Sequence, residues 1–224
     1  MVNINPNHLK KQELLCYLTG RCKHGHSYLE HPNCFKTEIL FDGKKVKLGF
    51  FDIEFANSFK GQYVIILSYA IKEYEKKVFS QHIKQKHLRS DVLDKELLKS
   101  LLKRLKEFDI IVTYYGTKCD LPYVRTRCLR WGFSFIPYGY LKHIDMYYIV
   151  KSKLSLNRNT LENACHLLGI KGKNHVDGET WVKAVTGNKK ALMYIREHNE
   201  RDVVILEELY NKLINYYRRT NRSI

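Results

Sequence analysis

The sequence predicts an α/β fold in which a mixed five-stranded sheet is flanked by helices. The first observation is the order of the elements: three strand candidates, a helix, a strand, a helix, a strand and then helices alone. The second is size, since 224 residues that are 44% hydrophobic suffice for one domain with a substantial core and an appendage. The third is that the chain has no internal repeat and no Pro- or Ser-rich linker, so a division into two large domains has little support.

The first part of the sheet is predicted from three apolar stretches, which are Val46 to Phe55, Tyr63 to Ile71 and Tyr74 to Ser80. The first two are too apolar to lie at an edge that is exposed on both faces. Just before them, Asp42-Gly43 indicates a hairpin, because these residues accept the positive φ of a tight turn.

The next elements alternate between helix and strand. Leucines recur at helical spacing from about Asp91 to Phe108, and the apolar stretch from Asp109 to Tyr115 predicts a buried strand. A second helix is expected to begin at Asp120, because Pro122 is favoured in a first helical turn, where its missing N–H is not needed.

The remaining elements are one short strand and helices. The strand is predicted at His143 to Met146. The stretch Asn159 to Glu162 has the pattern of a capping box, which would open a helix that ends near Gly169. A long apolar stripe from Lys189 to about Arg218 predicts the last helix.

Composition sets the cellular context. No run of about 20 apolar residues is present and the first residues lack the apolar core of a signal peptide, so a soluble, cytoplasmic protein without membrane contact is expected. Six cysteines are then predicted to be reduced thiols or metal ligands rather than disulfides: Cys16, Cys22, Cys34, Cys119, Cys128 and Cys165.

The charge points to an anionic partner. Against 23 acidic residues stand 39 Lys and Arg, a formal net charge of +16 that attracts polyanions. Nucleic acid is the first expectation, although an anionic membrane or a ribosomal environment would also fit a basic balance. The charge therefore acquires meaning only together with candidate chemistry.

Asp52 and Glu54 form the first candidate site. Residues two apart on a strand project from one face, so both carboxylates would point away from Phe51, Ile53 and Phe55. Two like charges in an apolar strand are unfavourable unless a cation or protons compensate them, and hard divalent cations prefer oxygen ligands. The alternative is a strand end at which both acids meet water.

Two further acids lie in comparable settings. Asp120 follows an apolar strand and a turn that contains Gly116, at the sheet end where α/β folds commonly bind ligands; its alternative role is that of a helix N-cap. His198 and Asp202 are four apart and share one helix face, which borders the core because Val203 and its neighbours are apolar. The alternative for this pair is an exposed polar face.

Together these motifs resemble those of the four-carboxylate 3′ to 5′ exonucleases of the ribonuclease H-like superfamily, particularly its predicted YprB-type branch. In that family an Asp-x-Glu strand, an Asp after a strand and a glycine turn, and an Asp on a C-terminal helix preceded by His or Tyr gather two metal ions. The matching stretches are Phe51 to Glu54, Tyr115 to Pro122 and His198 to Val203. The resemblance runs from about residue 46 to residue 215 and implies a ribonuclease H-like sheet.

The resemblance implies which residues act. Two Mg²⁺ or Mn²⁺ ions would be held by Asp52, Glu54, Asp120 and Asp202, and His198 would act as the general base. The implied reaction removes nucleoside 5′-monophosphates from single-stranded DNA or RNA with a free 3′ end. Asp145 is expected instead to be a helix N-cap or to support the site, and Trp181 to pack in the core.

A Cys/His-rich extension is predicted at residues 1–35, before a catalytic domain at residues 36–224. A structural zinc ion there would use Cys22, His26, His31 and Cys34, although the spacing fits none of the common zinc fingers. The competing interpretation is a basic loop that contacts phosphate through Arg21, Lys23, His24 and His26.

Two other functions remain open from the sequence. A catalytically silent nucleic-acid-binding subunit of a replication or repair complex would keep the fold and the basic surface. It would gain nothing from four acids where phosphate must lie. Endonucleolytic cutting of branched DNA is the other alternative. The oligomeric state has no signal in the sequence.

Overall fold

The computed structural model describes residues 40–41, 44–57, 63–137, 139–172 and 175–216, and it divides the chain into two compact units, Met1–Leu48 and Gly49–Ile224. In the first unit, β1 (Leu40–Phe41) pairs antiparallel with β2 (Lys44–Lys45), and Phe41 lies opposite Lys44. This pairing agrees with the predicted hairpin. The Cys/His-rich segment and its candidate zinc ligands lie outside the described residues.

The second unit is built on a mixed five-stranded sheet. Its strands lie in the order β5-β4-β3-β6-β7; β3 pairs antiparallel with β4 and β4 with β5, whereas β6 and β7 are parallel. The predicted fold class is therefore confirmed. The strand bounds are β3 (Leu48–Asn57), β4 (Val64–Glu73), β5 (Val78–His82), β6 (Ile110–Thr113) and β7 (Lys142–Asp145).

Seven α-helices accompany the sheet in the described part of the chain, and none of them is long and apolar enough to cross a membrane. A 3₁₀ turn, Ile214–Tyr216, follows the last one. The helices are α1 (Gln85–Leu88), α2 (Lys95–Leu105), α3 (Asp120–Trp131), α4 (Met146–Lys153), α5 (Leu161–Leu167), α6 (Gly178–Val185) and α7 (Lys189–Leu213).

Three of the element starts that differ from the sequence prediction have an identifiable local reason. Helix α2 begins at Lys95 rather than near residue 91, because Leu93 has a φ of 44°, which is not helical. Strand β5 begins at Val78 rather than Tyr74, because Glu75 has a φ of 56° in a turn closed by the Lys76 amide on the Glu73 carbonyl. Helix α5 is capped by the Thr160 hydroxyl, which accepts from the Asn163 amide, so Glu162 does not complete a capping box.

The alternation predicted for β3 is present. Phe51 and Ile53 are buried in the hydrophobic core, and the rings of Phe50 and Tyr210 meet edge to face at 5.4 Å. Because Phe50 shares its strand face with Asp52 and Glu54 and Tyr210 lies on α7, this helix covers the face that carries the two acids. The partly buried Trp181 packs against the core, as expected.

A buried ion pair joins α3 to the residue that precedes α2. The guanidinium of Arg127 on α3 donates to both carboxylate oxygens of Asp94, at 2.7 and 2.6 Å. Asp94 also accepts from the Trp131 indole at 2.9 Å and from the Ile66 amide at 3.0 Å. These bonds join α3 and the residue before α2 to strand β4.

Candidate metal centre

Glu54, His198 and Asp202 form a group that can hold a metal ion. Each offers one ligand atom, and these atoms all lie within 4.8 Å of one another. The Nε2 atom of His198 is 3.6 Å from Oε1 of Glu54 and 3.8 Å from Oδ2 of Asp202, and the three side chains are only 10 to 13% exposed. The alternatives of a solvated strand end and an exposed polar helix face are therefore wrong for these residues.

Helix α7 and strand β3 supply this group because of their local geometry. His198 and Asp202 are one turn apart on α7, on a face that continues into the buried Val203 and Leu206. On β3, the register with β4 shifts directly after Glu54, so that Glu54 lies opposite Ser68 but Phe55 lies opposite Ile66. Such bulges re-aim side chains and are frequent beside active sites.

Asp52 is attached to the same helix through Asn199. The Nδ2 atom of Asn199 donates to Oδ2 of Asp52 at 2.5 Å, and its Oδ1 accepts from the Ser68 hydroxyl at 3.2 Å. Asn199 and Ser68 are both fully buried. Asn199 thus orients the Asp52 carboxylate and joins α7 to β3 and β4.

Asn199 was not among the site residues predicted from the sequence. Its signal was available, since it lies three residues before Asp202 on the same stripe of α7 as the apolar Ile195 and Leu206. A polar amide on such a stripe calls for a buried partner.

Asp120 approaches the same strand from α3. It is the first residue of that helix and is buried, and its Oδ1 accepts from the Ile53 amide at 3.0 Å. Ile53 lies between Asp52 and Glu54, so Asp120 is fixed beside both acids. The alternative of a helix N-cap is wrong: Cys119 holds that position, and no side-chain cap bond is formed there.

The surroundings of Asp120 disfavour its negative charge. Burial raises the pKa of Asp120 to about 7, and the charge of Asp145 adds to this effect while the amide of Ile53 opposes it. Burial also raises the pKa of the Cys119 thiol to about 12, with further contributions from Asp120, Asp52 and Glu54. Several acidic groups therefore lie close together at this point of the fold, where their negative charge is poorly solvated.

A divalent cation fits this donor set. Carboxylate oxygens are the ligands that Mg²⁺ and Mn²⁺ prefer. Asp52 and Asp120 are not members of the three-residue group, but hydrogen bonds hold them to the elements that form it. All five predicted catalytic residues thus belong to one region of β3, α3 and α7.

Asp145 has the supporting role that was expected. It caps α4 by accepting from the Tyr147 amide at 3.1 Å. The same carboxylate accepts from the amides of Tyr115 at 2.7 Å and Thr117 at 3.0 Å. It therefore holds the turn that leads from β6 to Asp120.

None of the three described cysteines, Cys119, Cys128 and Cys165, is in a disulfide.

Comparison with known proteins finds one family model that covers most of the second unit and relatives that match a third to three quarters of the chain. A family model described as RNase_H superfamily matches residues 49–214. A DNA polymerase of Pyrococcus glycovorans is 26% identical over 196 aligned positions, which cover 74% of this chain and 24% of that protein. A DNA polymerase of Methanocaldococcus jannaschii is 34% identical over 99 positions, covering 34% of this chain and 6% of the relative.

Among solved structures, the family B DNA polymerase of the hyperthermophilic archaeon Pyrobaculum calidifontis superposes with a TM-score of 0.60 at 18% identity. The match covers 75% of this chain and 25% of that one, which supports the fold. The chain thus spans a quarter or less of the length of these relatives. Because the family model covers most of the chain, the chain belongs to the ribonuclease H superfamily.

Proposed function

We propose that this chain is a metal-dependent 3′ to 5′ exonuclease that hydrolyses single-stranded nucleic acid and releases nucleoside 5′-monophosphates. The observation that carries the proposal is the convergence of Glu54, His198 and Asp202, with donor atoms within 4.8 Å, beside Asp52 and Asp120. Four acids at the core of a strongly basic protein are hard to explain for a pure nucleic-acid binder, because they would repel phosphate.

Each residue has a proposed role. Asp52, Glu54, Asp120 and Asp202 would hold two Mg²⁺ or Mn²⁺ ions, which supply charge stabilisation at the scissile phosphate and lower the pKa of the attacking water. In this proposal His198 is not a metal ligand. It would accept the proton of that water at Nε2, which lies 3.6 and 3.8 Å from the oxygens of Glu54 and Asp202. Asn199 keeps Asp52 in position.

Further support concerns the substrate and the domain. The formal net charge of +16 favours a polyanionic substrate, and two relatives are named DNA polymerase. We propose that residues 36–224 form the catalytic domain, that residues 1–35 are an extension with a zinc site, and that the chain belongs to the YprB-type branch of the four-carboxylate exonucleases.

Single strands labelled at the 5′ or the 3′ end, with Mn²⁺ or EDTA, test the proposal. A 3′ label should be released as mononucleotide before the 5′-labelled strand is fully shortened, and EDTA should stop the reaction. Asp202→Asn should be inactive, whereas Glu208→Gln, which changes an exposed acid on the same helix, should retain activity.

Three results would contradict the proposal. Cleavage of strands with a blocked 3′ end would indicate an endonuclease. Binding without cleavage in Mn²⁺ would favour the silent binding subunit. Full activity of Asp202→Asn would overturn the site.

A further inference from the structure

Three tyrosines form an exposed aromatic surface at the carboxyl ends of β6 and β7. The rings of Tyr115 and Tyr147 meet edge to face with centroids 4.6 Å apart, and Tyr147 meets Tyr148 at 5.2 Å. Tyr115 is 44% exposed and Tyr148 is 42% exposed. The tyrosine surface, as we call these three residues, is thus not ordinary core packing, since two of its rings present large areas to solvent.

One carboxylate holds two of these residues in place. Oδ1 of Asp145 accepts from the amides of both Tyr115 and Tyr147, at 2.7 and 3.1 Å. Tyr147 is also supported from behind by Tyr114, whose ring lies edge to face with it at 6.1 Å and whose hydroxyl donates to the Asn159 carbonyl. The relative positions of the rings are therefore set by buried groups.

The backbone at Tyr115 is strained. Its φ of 64° lies in the left-handed region, which residues with a large side chain seldom adopt. The next residue, Gly116, packs so closely on Thr113 that an added Cβ would lie 2.2 Å from its Oγ1. Such strain persists where the surroundings over-determine it, and it is commonest at functional sites.

The tyrosine surface adjoins the candidate metal centre. The carbonyl of Tyr115 accepts from the amide of Cys119, the residue before Asp120. Only one turn of chain therefore separates Tyr115 from Asp120. Two exposed lysines lie close to these tyrosines in the chain: Lys118 lies in that turn, and Lys151 lies three and four residues after Tyr148 and Tyr147 on α4. Aromatic rings beside cations are the combination that binds unpaired bases and their phosphates.

We propose that the tyrosine surface stacks an unpaired base of a single-stranded nucleic acid whose end lies in the metal centre. This inference rests on the proposed function and adds to it a base-binding subsite. Tyr115 supplies the exposed ring, Tyr147 supports it, and Lys118 and Lys151 attract the neighbouring phosphates. Stacking accepts any base, so the subsite selects unpaired strands rather than a sequence.

The test measures binding in EDTA, so that no cleavage occurs. The probe is a short single strand in which successive positions from the 3′ end carry either 2-aminopurine or an abasic site. With the wild-type protein, one position should show quenched 2-aminopurine fluorescence, and an abasic site there should weaken binding by about 5- to 150-fold, the range for one lost base stack. Tyr115→Ala should abolish the quenching and make binding insensitive to the abasic site.

Two controls separate stacking from a folding defect. Tyr115→Phe keeps the ring and should behave as the wild type. Tyr140→Ala removes an exposed tyrosine at the other end of β7 and should also leave the quenching intact. If Tyr115→Ala retains position-specific quenching, or if Tyr140→Ala loses it equally, the tyrosine surface is not the subsite.

Wild-type cleavage is measured in parallel in Mn²⁺. If the wild-type protein cleaves and Tyr115→Ala still quenches 2-aminopurine as the wild type does, this inference is overturned and the nuclease proposal stays intact. Stacking that depends on Tyr115 in a wild-type protein that does not cleave supports the subsite and overturns the nuclease proposal.

Discussion

Asp94 and Asp120 are two buried carboxylates with similar backbone partners and opposite electrostatic surroundings. Each accepts one strand amide at 3.0 Å, from Ile66 and Ile53 respectively. Asp94 also accepts hydrogen bonds from the guanidinium of Arg127 and from the indole of Trp131. Asp120 instead lies near Asp145, which raises its pKa further.

The difference separates a structural acid from a functional one. A buried charge is tolerated when the chain itself supplies the opposite charge and the hydrogen bonds, as Arg127 does for Asp94. Where acids gather around Asp120, Asp52 and Glu54, the compensation is expected to come from outside the chain, as protons or divalent cations. Substitutions at the two places should therefore have opposite consequences for activity and stability.

The largest effect is expected at the metal centre. Asp52→Asn or Asp120→Asn should abolish cleavage, because each replaces a proposed metal ligand with a neutral amide. Asp120→Asn keeps an oxygen for the Ile53 amide and removes a poorly solvated charge, so the free energy of unfolding should stay equal or rise. End-labelled cleavage and urea unfolding measure both effects. Wild-type turnover in either variant, or a large loss of stability in Asp120→Asn, would contradict the proposed difference between Asp120 and Asp94.

Asp94→Asn should show the reverse pattern. Removing one partner of a buried ion pair leaves the other charge uncompensated, so the free energy of unfolding should fall by about 3–5 kcal/mol. Residual folded protein should still bind Mn²⁺. Glu107→Gln, which breaks the more exposed pair with Arg104, serves as the control and should change stability by less than about 1 kcal/mol. Equal losses in both variants would show that burial of the Asp94–Arg127 pair is not decisive.

His198→Ala should slow cleavage by roughly 10²-fold or more while leaving strand affinity nearly unchanged, because it removes the proposed general base. His198→Tyr sharpens the test, since either His or Tyr precedes the last Asp in the exonuclease family that this chain resembles. Activity in the Tyr variant but not in the Ala variant would support the role. A fully active Ala variant would reduce His198 to a polar neighbour of Glu54 and Asp202.

The smallest effect concerns His143, whose Nε2 is hydrogen-bonded to the Thr113 hydroxyl. Burial lowers the pKa of His143 to about 4, although Asp145 opposes the shift. The unfolded imidazole binds a proton near pH 6.5, so stability is complete above that value and falls as the pH decreases towards 4. In the wild-type protein, His143 should lower the free energy of unfolding by on the order of 2–3 kcal/mol between pH 7 and pH 4. In His143→Gln this part of the decrease should be absent when unfolding is measured at both pH values. An identical pH dependence in the variant would contradict the assignment.

The periodic elements could be predicted from the sequence because their signals are local. The alternation of β3 and the leucine spacing of α2 report burial directly. The starts of α2 and β5 were placed too early, since Leu93 and Glu75 adopt positive φ values that no residue preference indicates. The pairing of Arg127 with Asp94 was missed, because it joins residues 33 apart in the chain.

The sequence indicated which acids form the candidate site, but not the hydrogen bonds that hold them in place. The acids could be found because Asp52, Glu54 and Asp202 lie within apolar elements and Asp120 follows an apolar strand. That Asp120 reaches the Ile53 amide, or that Asn199 reaches Asp52 across 147 residues, depends on tertiary packing. The position of Asn199 on the buried face of α7 indicates that it needs a partner, but not that the partner is Asp52.

The binding of Mn²⁺ tests the central claim most directly, namely that the acids around Asp120 are compensated by metal ions. Calorimetric titration of the wild-type protein, without nucleic acid, should show Mn²⁺ binding that EDTA reverses. Glu54→Gln or Asp202→Asn should abolish binding at one site or more, whereas Asn199→Ala, which keeps all four proposed ligands but breaks the bonds of Asn199 to Asp52 and Ser68, should weaken it by about 10- to 100-fold. Glu208→Gln should bind as the wild type. No Mn²⁺ binding by the wild-type protein, or unchanged binding in Glu54→Gln and Asp202→Asn, would contradict the account.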